Sequence, residues 1–357
     1  MARADPRGAV RGSGLIRMTS TTRKTAAVAG AAVAAALAAK AATTVTAKAT
    51  ARRRARTAVR SAPPSSRRTV GAPLPPVLPP GRVLSLPGRG EVFVRDSGGA
   101  SATPAVLLLH GWTASADINF FAAYPSLAES YRVIAMDSRG HGRGMRSMVP
   151  FSLEDCADDA AALLDQLGVG RAIVVGYSMG GPVGLLLARR HPEHAAALVM
   201  QATALEWQLG KRERAVWRLL PMLDLGLRLG AGASLTEWVL RRAVAEAPEL
   251  GRYRPWLAAE FGRATARDLV ATGRALSRYD ARPWADRLGV PATVLVTTRD
   301  HLVRPAKQHA LAEALRASVL EIDADHDVPL ANGGEYAKQT RLAVDTMAAA
   351  AGFTPGR

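Results

Sequence analysis

One serine stands between two glycines in the segment GYSMG, from Gly176 to Gly180, directly after an apolar run. A serine hydroxyl is a poor nucleophile unless a base and a fixed geometry activate it. A sharp turn from a strand into a helix would push the Ser178 side chain out of the sheet edge. The N–H groups at the N-terminus of the helix would then face a developing oxyanion. The segment therefore predicts a nucleophilic serine. The alternative is an ordinary glycine-rich turn that holds a phosphate.

A base for this serine has one favoured candidate among the seven histidines. His326 lies in the polar segment DADHDVP, which follows the last apolar run of the chain. In a sheet of parallel strands, a short loop at that position would bring the imidazole to the same edge as the serine. The placement predicts that His326 is the catalytic base.

The elements that would position these residues are short apolar runs separated by helical segments. Continuous apolar runs predict strands of a parallel sheet covered on both faces, and the alternation predicts a doubly wound, mostly parallel α/β sheet. RVLSLP and EVFVRD predict a hairpin before it. The runs are AVLLLHG (Ala105–Gly111), RVIAMD (Arg132–Asp137), AIVVGY (Ala172–Tyr177), ALVMQA (Ala197–Ala202), ATVLVTT (Ala292–Thr298) and SVLEID (Ser318–Asp323). The clearest helix is capped by Ser152 and closed by Gly168.

The alternation stops between residues 205 and 285, where no run is typical of a strand. Five of the six tryptophans lie there, so we expect a helical cap inserted between two parts of the core, 82–204 and 286–357. Ser234 and Glu237 predict a capping box at the start of one of its helices. A large insertion over such a sheet is often a lid with apolar residues lining a pocket.

Four motifs occur in an order that resembles the α/β-hydrolase fold family, from about Arg82 to Gly352. They are HGW (His110–Trp112), DSRGHGRG (Asp137–Gly144), GYSMG, and the pair TTRDHLV and DADHDVP after the last two strands. The resemblance implies that Ser178 is the nucleophile, His326 the base, and Asp300 the acid that orients the imidazole. It also implies an oxyanion hole made by the backbone N–H groups of Trp112 and Met179.

The chain departs from the family pattern at three positions, one of which is His301 beside Asp300. Gly144 stands where serine is usual, and Asp325 precedes His326 where glycine is usual. We expect Asp325 to raise the pKa of His326 or to offer a competing carboxylate. Asp323, Asp325 and Asp327 stay open as alternatives to Asp300, although they lie too near His326 in sequence to reach its ring easily.

Other ionisable residues near the motifs have structural interpretations. We expect His110 to support the oxyanion loop. We expect Asp137 and Arg139 to form an ion pair that stabilises their turn, in which His141 also takes part. His301 lies beside Asp300 without a catalytic role. His191 and His194 follow an apolar helix, which predicts exposed cations at its C-terminus.

The basic charge of the chain belongs to its first part. Residues 1–90 hold 17 of the 47 Lys and Arg but one of the 30 Asp and Glu, so their net charge is +16 and the remainder carries +1. Residues 1–81 therefore predict a basic, Ala-rich and Pro-rich tail and linker, with a nearly neutral core after it. The run Ala26–Ala39 is short for a membrane span, but a basic start, an apolar middle and small residues after it resemble a signal peptide or a signal anchor. Residues 26–50 therefore predict membrane association, with a disordered tail on a cytoplasmic protein as the alternative.

The function implied is a serine hydrolase that cleaves a carboxylic ester with a small apolar acyl group through an acyl-enzyme. The resemblance also allows a thioesterase, an amidase, a C–C hydrolase, an acyltransferase, a cofactor-free perhydrolase or a non-catalytic binding protein. One cysteine excludes an intrachain disulfide, and no Cys/His spacing predicts a metal site. No phosphate loop or dinucleotide fingerprint occurs, so we expect no cofactor. A nearly neutral core predicts no nucleic-acid partner, and oligomeric state stays open.

Overall fold

A computed structural model describes residues 76–353, apart from 101–102, 148, 209 and 230–231. The apolar run Ala26–Ala39 and most of the predicted tail lie outside these residues. In the part of the chain that the structure describes, no helix has the length and apolar character needed to cross a membrane.

Eight strands form one sheet in the described residues, and the predicted hairpin and all six apolar runs are among them. They are β1 Gly81–Leu86, β2 Gly90–Asp96, β3 Ala105–Leu109, β4 Arg132–Met136, β5 Ala172–Tyr177, β6 Ala195–Gln201, β7 Ala292–Thr297 and β8 Ser318–Ile322. Their order in the sheet is β1-β2-β4-β3-β5-β6-β7-β8. β2 pairs antiparallel with β1 and β4, and all other pairs are parallel. The parallel strands end at one edge, where the loops after β3, β5, β7 and β8 meet.

Helices separate and cover these strands. Those described are α1 Ala116–Phe120, α2 Tyr124–Ala128, α3 Leu153–Gln166, α4 Gly180–Arg190, α5 Lys211–Arg218, α6 Leu220–Arg228, α7 Gly232–Glu246, α8 Arg254–Phe261, α9 Ala266–Leu276, α10 Pro305–Leu315, α11 Val328–Ala331 and α12 Gly333–Ala350. On one face of the sheet α3, α4 and α10 pack, and on the other α1, α2 and α12.

Both faces of the sheet are apolar because successive side chains of a strand point to opposite sides. Along β3, Leu107 and Leu109 belong to one buried cluster, whereas Val106 and Leu108 belong to the other. The continuous apolar run is therefore what a central strand with two buried faces requires.

The predicted caps of two helices have different outcomes. Ser152 caps α3 as predicted, and its hydroxyl accepts a hydrogen bond from the N–H of Asp155 at 3.0 Å. The capping box predicted at Ser234 is wrong. The helix α7 begins at Gly232, so Ser234 lies in its first turn rather than before it.

Among the residues that the structure describes between β6 and β7 are five α-helices, α5 to α9. The insertion leaves and rejoins the sheet at one place, where Glu206 forms an isolated bridge with Asp280 and the N–H of Ala281 donates to the carbonyl of Leu205 at 2.8 Å. The division of the chain into a core and a helical cap over residues 205–285 stays a prediction.

The end of the proline-rich linker already belongs to the folded core, which corrects the boundary expected after residue 81. The carbonyl of Pro79 accepts a hydrogen bond from Arg95 at 3.0 Å, and that of Pro80 accepts the N–H of Asp96 at 3.0 Å. Leu78 also packs against the core. The proline-rich composition predicts a linker, but proline lacks only the N–H donor and its carbonyl still accepts hydrogen bonds. The composition therefore does not reveal these contacts.

Candidate active site

Ser178 occupies a strained turn between β5 and α4. Its φ is +53°, a left-handed conformation that is costly for a residue with a side chain. A Cβ atom on Gly176 would lie 2.4 Å from the carbonyl oxygen of Gly180, and one on Gly180 would lie 1.9 Å from the carbonyl oxygen of Leu109. Only glycine therefore fits on both sides of the serine, as the segment predicted.

A chain of hydrogen bonds joins Ser178 to His326 and Asp300. The Ser178 Oγ lies 3.0 Å from His326 Nε2, and His326 Nδ1 lies 2.8 Å from Asp300 Oδ2. The three residues follow β5, β8 and β7, whose carboxyl ends lie at the same edge of the sheet. The structure thus brings together the three side chains that the sequence predicted to act together.

Asp300 is buried, and its neighbours fix its carboxylate. Oδ1 accepts the N–H groups of Leu302 at 2.8 Å and Val303 at 2.7 Å. Oδ2 accepts the Thr297 hydroxyl at 2.8 Å in addition to the imidazole. These bonds satisfy a buried negative charge and leave one oxygen aimed at His326.

The surroundings of His326 raise its pKa above that of an ordinary histidine. Burial disfavours the protonated ring, but the charge and hydrogen bond of Asp300 and the charges of Asp325 and Asp327 outweigh it. The raised pKa confirms one of the two effects expected of Asp325. The ring can accept a proton from Ser178 while a carboxylate stabilises the resulting imidazolium.

The other expected effect of Asp325, competition for the imidazole, is wrong. The Asp325 carboxylate accepts the backbone N–H groups of His326 at 2.7 Å and His301 at 3.0 Å, and contacts His301 Nδ1 at 2.9 Å. It therefore ties the loop after β7 to the loop after β8. His301 takes part in this contact and stays away from the serine.

The loop after β3 lies against the serine turn. A Cβ atom on Gly111 would lie 3.1 Å from the Cβ of Ser178, and the Gly111 N–H donates to Asn119 Oδ1 at 2.7 Å. The predicted oxyanion donors Trp112 and Met179 directly follow Gly111 and Ser178. Among the described residues, no protein acceptor is found for either backbone N–H.

His110 supports this loop from below. Its Nε2 accepts the N–H of Ser138 at 3.0 Å, and its Nδ1 contacts the carbonyl of Gly111 at 2.8 Å. Burial lowers the pKa of His110 to about 4, so the ring is neutral at neutral pH. These contacts agree with the structural role expected for it.

The helical insertion holds the side chain of Trp112. Its indole N–H donates to the carbonyl of Leu269 in α9 at 3.0 Å, and its ring lies 5.8 Å from that of Trp217 in α5. A Cβ atom on Gly273 would lie 2.9 Å from the Trp112 ring. The insertion therefore packs directly on the loop that carries a candidate oxyanion donor.

Two expectations about charged residues are wrong. Asp137 and Arg139 do not pair: Asp137 accepts backbone N–H groups from Ala116 and Arg143, both at 2.8 Å, while Arg139 binds Asp159 in α3. The buried Asp137 carboxylate thus fixes the turn through the backbone.

His194 is the other error, since it is buried rather than exposed and its Nδ1 lies 3.0 Å from the carbonyl of Gly170. His191 is only partly exposed and contacts Asp158 at 2.8 Å. His141 does lie in the expected turn, where burial lowers its pKa to about 3. A Cβ atom on Gly144 would lie 2.3 Å from the carbonyl of Ser138, so this version of the turn requires glycine.

Sequence reasoning missed two residues that organise the site. The Tyr177 hydroxyl donates to the carbonyl of His326 at 2.5 Å. Glu260 in α8 is buried and binds Arg143 and Ser115, which joins the insertion to the turn after β4. The position of Tyr177 beside the serine was the only available signal, and Glu260 had none.

The fold and the site together define the class of this protein. The chain belongs to the alpha/beta hydrolase fold family, whose model matches residues 104–332.

Relatives and solved structures support this membership. The chain is 28% identical to 3-oxoadipate enol-lactonase 2 of Acinetobacter baylyi over 56% of this chain and 73% of that protein. It is 33% identical to a bifunctional esterase/perhydrolase of Acinetobacter calcoaceticus, over 34% of this chain and 44% of that protein. The crystal structure of the enol-lactonase from Burkholderia xenovorans LB400 superposes with a TM-score of 0.63 and 25% identity, and the match covers 72% of this chain and 98% of that one.

Proposed function

We propose that the protein is a serine hydrolase that cleaves a carboxylic ester through an acyl-enzyme. The observation that carries the proposal is the line of contacts from the Ser178 hydroxyl through His326 to the buried Asp300 carboxylate. Family membership supports hydrolysis, and two relatives carry names that describe action on a lactone or an ester. A lactone is a cyclic ester, so one chemistry accounts for both names.

In the acylation step, the Ser178 oxygen attacks the ester carbonyl carbon while His326 Nε2 takes the hydroxyl proton. The carbonyl oxygen becomes an oxyanion, and the N–H groups of Trp112 and Met179 stabilise it. Each well-placed donor of this kind lowers the barrier by about 3–4 kcal/mol. The imidazolium then gives its proton to the departing alkoxide, which leaves as an alcohol.

In the deacylation step, water replaces the alcohol. His326 takes a proton from the water molecule while the water oxygen attacks the carbonyl carbon of the acyl-serine. The N–H groups of Trp112 and Met179 stabilise the second oxyanion. Collapse of this intermediate breaks the bond to Ser178, and the imidazolium returns the proton to the serine oxygen. The products are a carboxylic acid, an alcohol and the free enzyme, without an external cofactor.

The substrate we propose is a small ester with an apolar acyl group. Trp112 and Trp217 place aromatic surface beside the loop next to Ser178, and the insertion acts as the cap that selects the acyl chain. In this proposal the basic charge of residues 1–75 places the protein at a membrane surface. These residues take no part in catalysis.

Reaction with a fluorophosphonate probe tests the proposal, since such probes label an activated serine. We expect the wild-type protein to be labelled and to hydrolyse p-nitrophenyl esters, with a preference that depends on acyl length. A protein that binds these esters but neither reacts with the probe nor releases nitrophenol would be a binding protein with a hydrolase fold. Transfer of the acyl group to an added alcohol or to hydrogen peroxide in preference to water would assign an acyltransferase or a perhydrolase.

A further inference from the structure

Exposed side chains line the outer side of α5 and α6. They are cationic along α5 and apolar along α6. In α5 the exposed residues Lys211, Arg214 and Arg218 recur at intervals of three and four. Along α6 and its C-cap the exposed residues Met222, Leu225 and Leu229 continue the same intervals. Residues at this spacing lie on one face of a helix. A cationic stripe is thus followed by an apolar stripe.

The apolar stripe is unusual for this molecule. In the described residues, ten large apolar side chains are exposed, and four of them lie between residues 222 and 238. Met222, Leu225 and Leu229 are 50%, 60% and 53% exposed. Single exposed leucines are common on proteins, whereas a cluster at helical spacing marks an interaction surface.

The opposite side of these helices is already occupied. Leu220 is buried and lies against α9, close to the position that a Cβ atom on Gly273 would take. Trp217 packs on Trp112, and Glu213 binds Lys307 of α10 at 2.8 Å. The helices are therefore anchored to the core through their inner side, and the outer side is left facing solvent.

The charge beside the stripe favours one occupant. Glu213 is the sole acid among the eight residues of α5, and it faces inward to an ion pair with Lys307, which also binds Glu206. The exposed cations of α5 precede the apolar residues of α6. The first 90 residues add a net charge of +16. An apolar face with flanking cations is the pattern of a helix that lies in the interface of an anionic membrane.

We propose that the outer face of α5 and α6 docks on an anionic lipid surface. Met222, Leu225 and Leu229 enter the boundary between headgroups and acyl chains, and Lys211 and Arg218 contact the headgroups. This orientation places the inner side of the same helices, and with it Trp112, between the lipid surface and Ser178. The proposal goes beyond ester hydrolysis and does not depend on it.

A fluorescent label on this face tests the proposal in the full chain. Leu225→Cys carries an environment-sensitive dye, and Leu342→Cys is the matched control because Leu342 is an exposed leucine on α12. The native Cys156 is buried and stays unlabelled. We expect the emission at position 225 to shift to shorter wavelength with phosphatidylglycerol-containing vesicles, but not with pure phosphatidylcholine vesicles, and the dye at position 342 to stay unchanged.

Binding of the basic tail alone is a distinguishable result. Sedimentation with anionic vesicles without a shift at position 225 would overturn the proposal and leave the tail as the binding segment. Equal shifts at positions 225 and 342 would also overturn it. A shift without vesicles that grows with protein concentration would show that a second copy covers the face.

Charge and apolar variants give a second measurement. We expect Leu225→Glu to weaken partition onto anionic vesicles on the order of tenfold, and Arg218→Gln to weaken it roughly fivefold. Leu342→Glu should leave partition unchanged. Hydrolysis of a dissolved short-chain nitrophenyl ester without vesicles should be unchanged in all three variants, which separates loss of docking from loss of the proposed activity. Partition equal to that of wild type for Leu225→Glu and Arg218→Gln would contradict the proposal.

Discussion

The Asp325 carboxylate accepts the backbone N–H of His326 at 2.7 Å, directly beside the imidazole that contacts Ser178. The same carboxylate holds the N–H of His301, the residue after Asp300. A single side chain thus joins the loop of the candidate base to the loop of the candidate acid. Its negative charge also contributes to the raised pKa of His326.

The first prediction concerns pH dependence. Catalysis needs the neutral imidazole. Because the pKa of His326 is raised, the acid limb of kcat/KM should lie at a higher pH than that at which an ordinary histidine titrates. Asp325→Asn removes one charge that favours the imidazolium, and the acid limb should move to lower pH. Asp323→Asn is the control, because the exposed Asp323 pairs with Arg299 instead. An unchanged acid limb in Asp325→Asn would show that its charge does not act on the base.

The second prediction ranks two carboxylates. Asp300→Asn should reduce kcat by about 10⁴-fold, because the amide stabilises neither the tautomer that serves as base nor the imidazolium. Asp325→Asn should cost far less, since it does not contact the ring. Measurement of kcat with a nitrophenyl ester, together with circular dichroism to establish folding, decides between them. The reverse ranking would assign the acid role to the loop of His326.

The third prediction concerns the nucleophile. Ser178→Ala should lower ester turnover on the order of 10⁴-fold or more and abolish fluorophosphonate labelling, since the members of such a triad act as a unit. Its thermal unfolding should stay close to that of wild type, because the hydroxyl is removed without a change of backbone. Retention of more than a tenth of kcat would reject Ser178 as the nucleophile.

The fourth prediction concerns Tyr177, whose hydroxyl binds the carbonyl of His326. Burial raises the pKa of Tyr177, so the hydroxyl stays a donor. Tyr177→Phe loosens the position of the imidazole, and we expect kcat to fall about three- to tenfold with little change in KM. Tyr279→Phe is the control, since the buried Tyr279 hydroxyl has no partner in the described residues. A loss of stability without a change in kcat would make Tyr177 a packing residue only.

The sequence predicted the sheet and the serine turn because local properties determine both. Val106 to Leu109 are apolar without interruption because both faces of β3 are buried, and Gly176 and Gly180 are required by contacts of less than 3 Å. Such constraints act on individual residues and are visible in their types. The roles of Ser178, His326 and Asp300 in catalysis stay predictions, although the structure brings the side chains together.

Contacts between distant segments were not predictable in this way. Tyr177 and His326 are 149 residues apart in the sequence, and Glu260 binds Arg143 across 117 residues. The residue types of Tyr177 and Glu260 do not indicate which distant residue each one contacts. The predicted pairing of Asp137 with Arg139 is wrong for the same reason, because Arg139 binds Asp159 on α3 instead.

The last prediction concerns the boundary of the tail. We expect a chain that begins at Pro76 to keep full ester turnover, because residues 1–75 carry none of the motifs and hold most of the excess positive charge. A chain that begins at Gly81 loses the carbonyls of Pro79 and Pro80, which accept hydrogen bonds from Arg95 and Asp96, and also the packing of Leu78. At about 1 kcal/mol for each hydrogen bond, its free energy of unfolding should fall by about 2 kcal/mol. Urea denaturation of the two chains measures this difference. Loss of activity in the chain from Pro76 would show that the tail takes part in the fold, whereas equal stability of the two chains would return the boundary to Gly81.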